Sequence, residues 1–439
     1  MKISSHVVVD RTDSVELGRW RGREPRALRW VLVLSLCVLL IFAVLAFGAV
    51  DEWSTFTFEA GATALFLVWA GTQLVSKQVK LSKNPLYLPT FLFFGLILAQ
   101  IALRRSAYGY VTKYEALQYI SYGIVLLIAA ECVREEDTRR LFALAMTIFG
   151  ALYAFFALAQ ELTSNGKIFW VHSPRFHGSI YGSYVNHNHY AGLMEMLVPI
   201  PLVLSMGHIL KGGKRALVGF CAVLMASTIV LSGSRAGMIG FGLEIVLLPV
   251  LTFQRGRSLR VVLGSVSVCM LILALLTFLG KGQMLGRLGD LRPENRLDIT
   301  KDSLRMFSKR PFIGWGLGTF PTVYPRYRSF YTNLFVNEAH NDYVQLLTET
   351  GLLGFGLMLW FLVRVYRHGL PTSRRWEFKW DGAVSLAALL GCTGILVHSF
   401  LDFNLQIPAN AAFFYVLCAL AASELSAASS RPGQTRPKD

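Results

Sequence analysis

Apolar runs long enough to cross a bilayer recur from one end of this chain to the other, and nothing constrains its folding more. A spanning helix needs about 17–25 mostly apolar residues. Such runs lie near 31–50, 58–76, 85–103, 115–133, 140–162, 189–207, 215–232, 236–253, 259–279, 340–363, 382–400 and 409–427. In lipid the backbone must satisfy its own N–H and C=O groups, so these runs read as helices. Composition agrees: 54% of the 439 residues are hydrophobic and only 16% charged, against about 25% charged in a soluble domain. Mean hydropathy is +0.47. The expectation is an all-α, polytopic integral membrane protein with about 12 transmembrane helices, of which 115–133 and 382–400 are the weakest. A soluble enzyme, a secreted disulfide scaffold and a disordered chain are excluded.

Charge sets the orientation. The net charge is +16, but no basic stripe is interleaved with aromatics, so no nucleic-acid partner is expected. Lys and Arg gather instead on the loops that twelve spans place on one side, as cytoplasmic loops do. Residues 1–30 carry Lys2, Arg11, Arg19, Arg21, Arg23, Arg26 and Arg29 ahead of an apolar run with no clean small-residue cleavage site. They read as the cytoplasmic tail of an uncleaved signal anchor. Helices 1–9 then fill 31–279, a long outer loop with a short helix fills 280–339, and helices 10–12 fill 340–427. Residues 428–439 read as a disordered cytoplasmic tail. The basic outer loop does not offend the rule, because long loops translocate largely regardless of charge. There is no Walker pattern and no cytoplasmic region large enough for a nucleotide-binding domain. Cys37, Cys132, Cys221, Cys269, Cys392 and Cys418 lie in or beside apolar runs with no C-x-x-C spacing. Neither a disulfide nor a cysteine metal site is expected.

Polar residues collect on the outer face in four groups. The first is Asn186-His187-Asn188-His189-Tyr190, entering a span. Its histidines would need further ligands to hold a metal. His172 and His177 are near in sequence, but with no HExxH or paired carboxylate the group reads as helix capping or substrate contact. The second is Leu231-Ser232-Gly233-Ser234-Arg235-Ala236-Gly237, a tight turn whose Arg235 either snorkels to headgroups or clamps a phosphate. The third is the long loop. Residues 295–310 read as a helix stopped by Pro311, with Leu297, Leu304 and Phe307 on its apolar side, followed by the glycine-rich stretch 311–318. The loop is either a solvated basic helix on the membrane surface or a cationic lid over an anionic lipid. The fourth is Glu338-Ala339-His340-Asn341-Asp342-Tyr343. Glu338, Asp342, Gln345 and Glu349 follow at helical spacing and would stripe one face. Glu349 would lie below the surface, where an ionisable residue suggests function. No DxD occurs, so positive side chains would have to carry any diphosphate charge.

In this order, residues 186–192, 232–237, 296–320 and Glu338 through Gly354, with a long outer loop between the Arg and His motifs, resemble the O-antigen ligase family over roughly 180–365. The resemblance implies an all-helical glycosyltransferase of the GT-C type with a long periplasmic loop. It implies transfer of a glycan from undecaprenyl diphosphate to a sugar of the lipid A core, at the periplasmic face of the bacterial inner membrane, with inversion and without metal or other cofactor. Membrane lipids would surround the enzyme. By the same resemblance, Arg235 and Arg296 would hold the diphosphate, with Arg287 a less certain match. His340 would serve the acceptor hydroxyl and Glu338 would fix its tautomer. Asn186, His187 and Asp342 complete the expected substrate contacts. The family also contains polymerases, so a growing polysaccharide is the alternative acceptor. A secondary transporter, which would want charge near the midplane, is the reading from a different class. Charge on the outer loops disfavours it, since only Glu244 and Glu349 look deeply placed.

Overall fold

The computed structural model describes residues 26–76, 81–174, 178–252, 293–333 and 335–423. Among them there is no strand, and nine helices are long and apolar enough to cross a membrane. In chain order, α1 is Arg26–Leu45, α2 Glu52–Val75, α3 Tyr87–Ala102, α4 Gly109–Cys132, α5 Glu136–Leu162, α6 His187–Met206, α7 Gly212–Leu231 and α8 Arg235–Thr252. The loop helix α9 is Pro293–Lys309. The last three are α10 Asp342–Ser373, α11 Trp380–His398 and α12 Pro408–Ala422. Of these, α3 and α12 are apolar but shorter than the other spans. Eleven of the twelve expected spans are thus helices. The run at 259–279 lies outside the described residues.

The core is built from α6, α11 and α12, whose residues are buried almost throughout. α11 is rich in Ala and Gly and α12 in Ala, small side chains that let helix backbones approach closely. The expected weak span at 382–400 is a helix long and apolar enough to cross, and it faces other helices more than lipid. Around this core, α12 packs on α4, α11 on α8 and α10, and α5 on α7. The five described cysteines are free, and Cys392 and Cys418 face each other with sulfurs 3.7 Å apart. Nothing in the cysteine spacing signals this contact.

The spans separate two polar faces. At one, buried Arg139 donates to the carbonyls of Val133, Asp381 and Ser423. Glu131 accepts from the Ser82 hydroxyl at 2.6 Å, and Arg375 pairs with Asp381 at 2.8 Å. All of these belong to segments the basic residues mark as cytoplasmic. The other face gathers the connections after α1, α3, α5 and α11, together with α9.

One break in a helix shapes that second face. In α10, Gly351 leaves helical geometry at φ 65°. The stretch 311–316 docks into the gap: the backbone N–H groups of Trp315 and Gly316 donate to the Thr348 and Glu349 carbonyls at 2.9 Å. In return, Leu352 N–H donates to the Pro311 carbonyl at 2.7 Å. The Gln100 side-chain amide crosses from α3 to the carbonyls of Ile313 and Glu349. The donors and acceptors a kink leaves open are satisfied by the loop, which such a break in a span requires.

The apolar side of α9 differs from the expected one. Leu297 and Leu304 are exposed, whereas Ile299 and Met306 are buried against Phe320, Val323, Tyr324 and Ala339. Buried Asp302 turns the face, because its carboxylate accepts from the Ser329 N–H at 2.8 Å and hydroxyl at 2.9 Å. A polar residue with partners outweighed two leucines.

Candidate functional site

A cavity of about 820 Å³ opens on the face that carries α9, lined by the N-terminal ends of α2, α6 and α10, by α4 and by the loops before α10 and α12. It brings together Asn186, His187, Arg296, Glu338 and His340, residues spread over 155 positions of sequence.

The wall made by α6 follows from its cap. The Asn186 side chain accepts from Asn188 N–H at 2.9 Å, satisfying a first-turn donor. The helix then presents His187 and His189 to the cavity. Asn188 lines the cavity too and donates to Asp402 Oδ2 at 2.6 Å. Capping was one of the two readings of this segment; the structure has Asn186 capping and at the cavity wall at once.

The start of α10 forms a second wall. Asn341 caps the helix by accepting from the N–H groups of Tyr343 and Val344 at 3.1 Å. The preceding His340 sits at φ 51°, in the left-handed region that a residue with a Cβ adopts only when its surroundings hold it there. Its Nδ1 lies 3.6 Å from Asp402 Oδ1, beyond a hydrogen bond and within ion-pair range. Its ring meets Phe403 edge-to-face at 4.9 Å. On the far side of Asp402, Arg296 Nη2 stands 3.9 Å from Oδ2, while its Nη1 donates to the Leu401 carbonyl at 2.7 Å. Burial alone would push the Asp402 carboxyl up. The neighbouring His340, His189 and Arg296 overcome that and hold it far below the usual carboxylate range.

Asp402 is the residue the sequence reading missed. It comes from the short connection after α11, close to Asn188, Arg296 and His340, none of which is near it in the chain. It is Asp402 that stands within ion-pair range of His340 Nδ1. Glu338 instead accepts from the Gln345 side-chain amide. Burial pushes the Glu338 carboxyl well above its usual range against that hydrogen bond, and Glu349 and Glu115 add to the rise.

Three expected site residues stand apart. Asp342 does not line the cavity: its oxygens accept from Leu405 N–H at 3.1 Å and from the Gln406 amide at 3.2 Å, anchoring the loop that carries Asp402. The expected stripe therefore fails at its first half. Glu338 precedes the helix and Asp342 turns away, while Gln345 and Glu349 do face the cavity. Arg235 is exposed at the start of α8 and is not part of the cavity wall. The α8 helix nonetheless packs against α6, which bears His187 and His189. Arg287 and His177 lie outside the described residues. His172 lines the cavity and stacks on Phe47 at 4.3 Å. Among the described residues no three His, Cys, Asp or Glu side chains group as metal ligands.

Residues 220–359, from the middle of α7 to just past the break in α10, match the family model described as O-antigen ligase. Over this third of the chain the protein is thus similar to the O-antigen ligase family. No curated protein matches the chain. The matched stretch holds Arg235, Arg296, Glu338 and His340 but stops short of Asp402 and begins after the α6 cap. The apolar helices describe a multi-pass membrane protein, and the match places an O-antigen ligase-like region in its second half. Members of the family are glycosyltransferase-like and act on polysaccharide or lipid-linked sugar substrates.

Proposed function

We propose that this chain is an enzyme of the O-antigen ligase family that transfers a glycan from undecaprenyl diphosphate to an acceptor sugar in the 820 Å³ cavity, at the periplasmic face of the inner membrane. The observation that carries the reading is the grouping of His340, Arg296 and buried Asp402 at its wall. A diphosphate leaving group needs cationic donors, which Arg296 supplies at the cavity, with Arg235, exposed at the start of α8, the second candidate. A hydroxyl nucleophile needs a base within reach, which His340 supplies. With Nδ1 turned to Asp402, the proton on that nitrogen is fixed and Nε2 is left to accept the acceptor's proton. The acceptor oxygen then attacks the anomeric carbon from the side opposite the diphosphate. The carbon–oxygen bond to diphosphate breaks with its electron pair leaving on phosphate, and the configuration inverts. No step calls on a metal.

The test is single-turnover transfer measured beside binding of undecaprenyl diphosphate. His340→Ala should lose about 10²–10⁴-fold in rate with lipid binding retained. Arg296→Ala should weaken the binding itself, and wild-type transfer should be the same with and without EDTA. Unchanged transfer by His340→Ala would sink the assignment.

A further inference from the structure

Helices α6 and α11 meet at a polar pair that the mechanism above leaves unused. Glu195 lies about two turns below His187 on α6, and His398 is the last residue of α11; both side chains are fully buried. His398 Nδ1 faces both Glu195 oxygens at 3.2 Å. Helix α8 makes room for the carboxylate. A Cβ at Gly240 would stand 3.0 Å from Glu195 Cδ, and one at Gly237 would stand 3.2 Å from its Oε1. The pair therefore sits where three segments converge: α6, which carries Asn186 through His189, the start of α8, and the turn after α11 that carries Asp402. Glu244 of α8 packs at the same crossing, against Gly394, and its oxygens have no hydrogen-bond partner among the described residues.

A buried ion pair is a poor device for stability, because desolvation offsets most of its attraction and apolar side chains of similar size would hold the helices as well. An ionisable pair kept inside a membrane bundle points to function instead, and what hydrogen bonds add over apolar packing is direction. Direction matters at this place. The His398 carbonyl accepts from Leu401 N–H at 2.8 Å and from Asp402 N–H at 3.1 Å. The residue whose ring Glu195 holds is thus the one from which Asp402 hangs. The next carbonyl, of Ser399, accepts from Asp342 N–H at 3.0 Å, tying the same turn to the start of α10 beside His340. Asp402 Oδ1 stands 3.6 Å from His340 Nδ1, so a shift of a few tenths of an ångström decides whether a hydrogen bond forms.

Resting on the transferase reading above, we propose that Glu195 and His398 are positioning residues for the transfer. Neither lines the cavity. By fixing the turn after α11 they set the Asp402 carboxylate against His340, and with it the imidazole that receives the acceptor's proton.

The experiment uses the full chain in lipid nanodiscs, with native membrane extract supplying lipid-linked glycan and acceptor. Single-turnover transfer is expressed per undecaprenyl diphosphate bound, so that only folded protein counts. Glu195→Leu and His398→Phe, which remove the hydrogen bonds, should each lose about 10²-fold in rate, the cost of a small misplacement at a reacting centre, with donor affinity retained. Glu195→Gln, whose amide oxygen still accepts from Nδ1–H, should recover most of the loss. Glu244→Gln, at the same crossing with no hydrogen bond to lose, should transfer at the wild-type rate. Added to Asp402→Asn, Glu195→Leu should change the rate by no more than about twofold, because residues acting through one partner are not additive. A merely structural pair would exact its full loss in that background too. Wild-type transfer by both Glu195→Leu and His398→Phe, an equal loss in Glu244→Gln, additivity with Asp402→Asn, or failure of both pair variants to bind donor overturns the proposal. His340→Ala in the same assay separates the two levels. If it is inactive while Glu195→Leu is active, only the positioning role fails. If it transfers normally, the transferase reading fails first.

Discussion

His340 is held in a backbone conformation that costs about 1–2 kcal/mol for a residue with a Cβ, between an alanine whose N–H is tied to Gln345 and the Asn341 cap. Such strain is maintained where geometry matters, and here it puts an imidazole beside the buried carboxylate of Asp402. The sequence displayed His340, Arg296 and the Asn186 cap because each opens a helix next to turn-forming or charged residues. Asp402 stayed hidden. A lone acid in a five- to ten-residue connection carries no periodicity, and its three partners come from other parts of the chain. Arg235 is where the reading most needs a direct test. If it clamps diphosphate, Arg235→Lys should impair donor binding nearly as much as Arg235→Ala, since an ammonium cannot reproduce the planar fork. Full activity of the lysine variant would leave Arg235 as a headgroup contact. Glu338 gives a prediction in pH. Its folded carboxyl titrates well above its unfolded value, so its contribution is favourable below about pH 4.3 and is lost as pH rises through the unfolded and then the folded value. Glu338→Gln, which stays neutral, should therefore gain thermal stability over the wild type progressively from pH 4 to pH 8 and match it at pH 4. A wild type that gains on the variant with rising pH would contradict the assigned cause.

At the scale of elements, the feature with the longest reach is the break in α10. Gly351 at φ 65° ends one helical segment and starts another, and a Cβ there would run into the backbone of Phe312. Gly314, at φ 77°, would collide in the same way with the backbone at Glu349. The two glycines are thus a matched pair that lets loop and helix exchange hydrogen bonds, and the exchange aims Glu349 at the cavity. Gly351→Ala should lower stability by at least the 1–2 kcal/mol of the left-handed conformation and displace Glu349 from the cavity wall. Gly356→Ala, where a Cβ meets nothing within 4 Å, should be neutral or gain up to about 1 kcal/mol. Thermal unfolding of both variants in detergent checks this, and equal effects would mean that the break is dispensable. The helices themselves were legible because length and hydropathy dictate them. The break was not, because a glycine inside an apolar run reads as tolerated helix, and only the docked loop shows what it is for. The face of α9 was misread for a related reason: counting apolar residues cannot see that Asp302 would find Ser329.

Across the whole molecule, every segment that lines the cavity comes from the side that the excess of Lys and Arg assigns to the outside, and every partner of Arg139 comes from the other. An odd number of missed or false spans between described helices would have mixed the two sets. The sorting therefore supports the alternation of spans, while leaving the direction of the whole stack to the basic residues alone. Cysteine labelling tests both in one experiment, in a background whose six native cysteines are replaced by alanine. Tyr331, on the outer loop, is 86% exposed, and Arg374, between α10 and α11, is exposed on the opposite face. Tyr331→Cys should react with an impermeant maleimide in intact spheroplasts, and Arg374→Cys only after the membrane is permeabilised. The reverse pattern would invert the protein and put the cavity in the cytoplasm, where a lipid-linked glycan already delivered to the periplasm could not reach it. Reaction of both cysteines from the same side would break the two-face architecture itself, and with it the argument that the residues of the cavity wall share one side of the membrane.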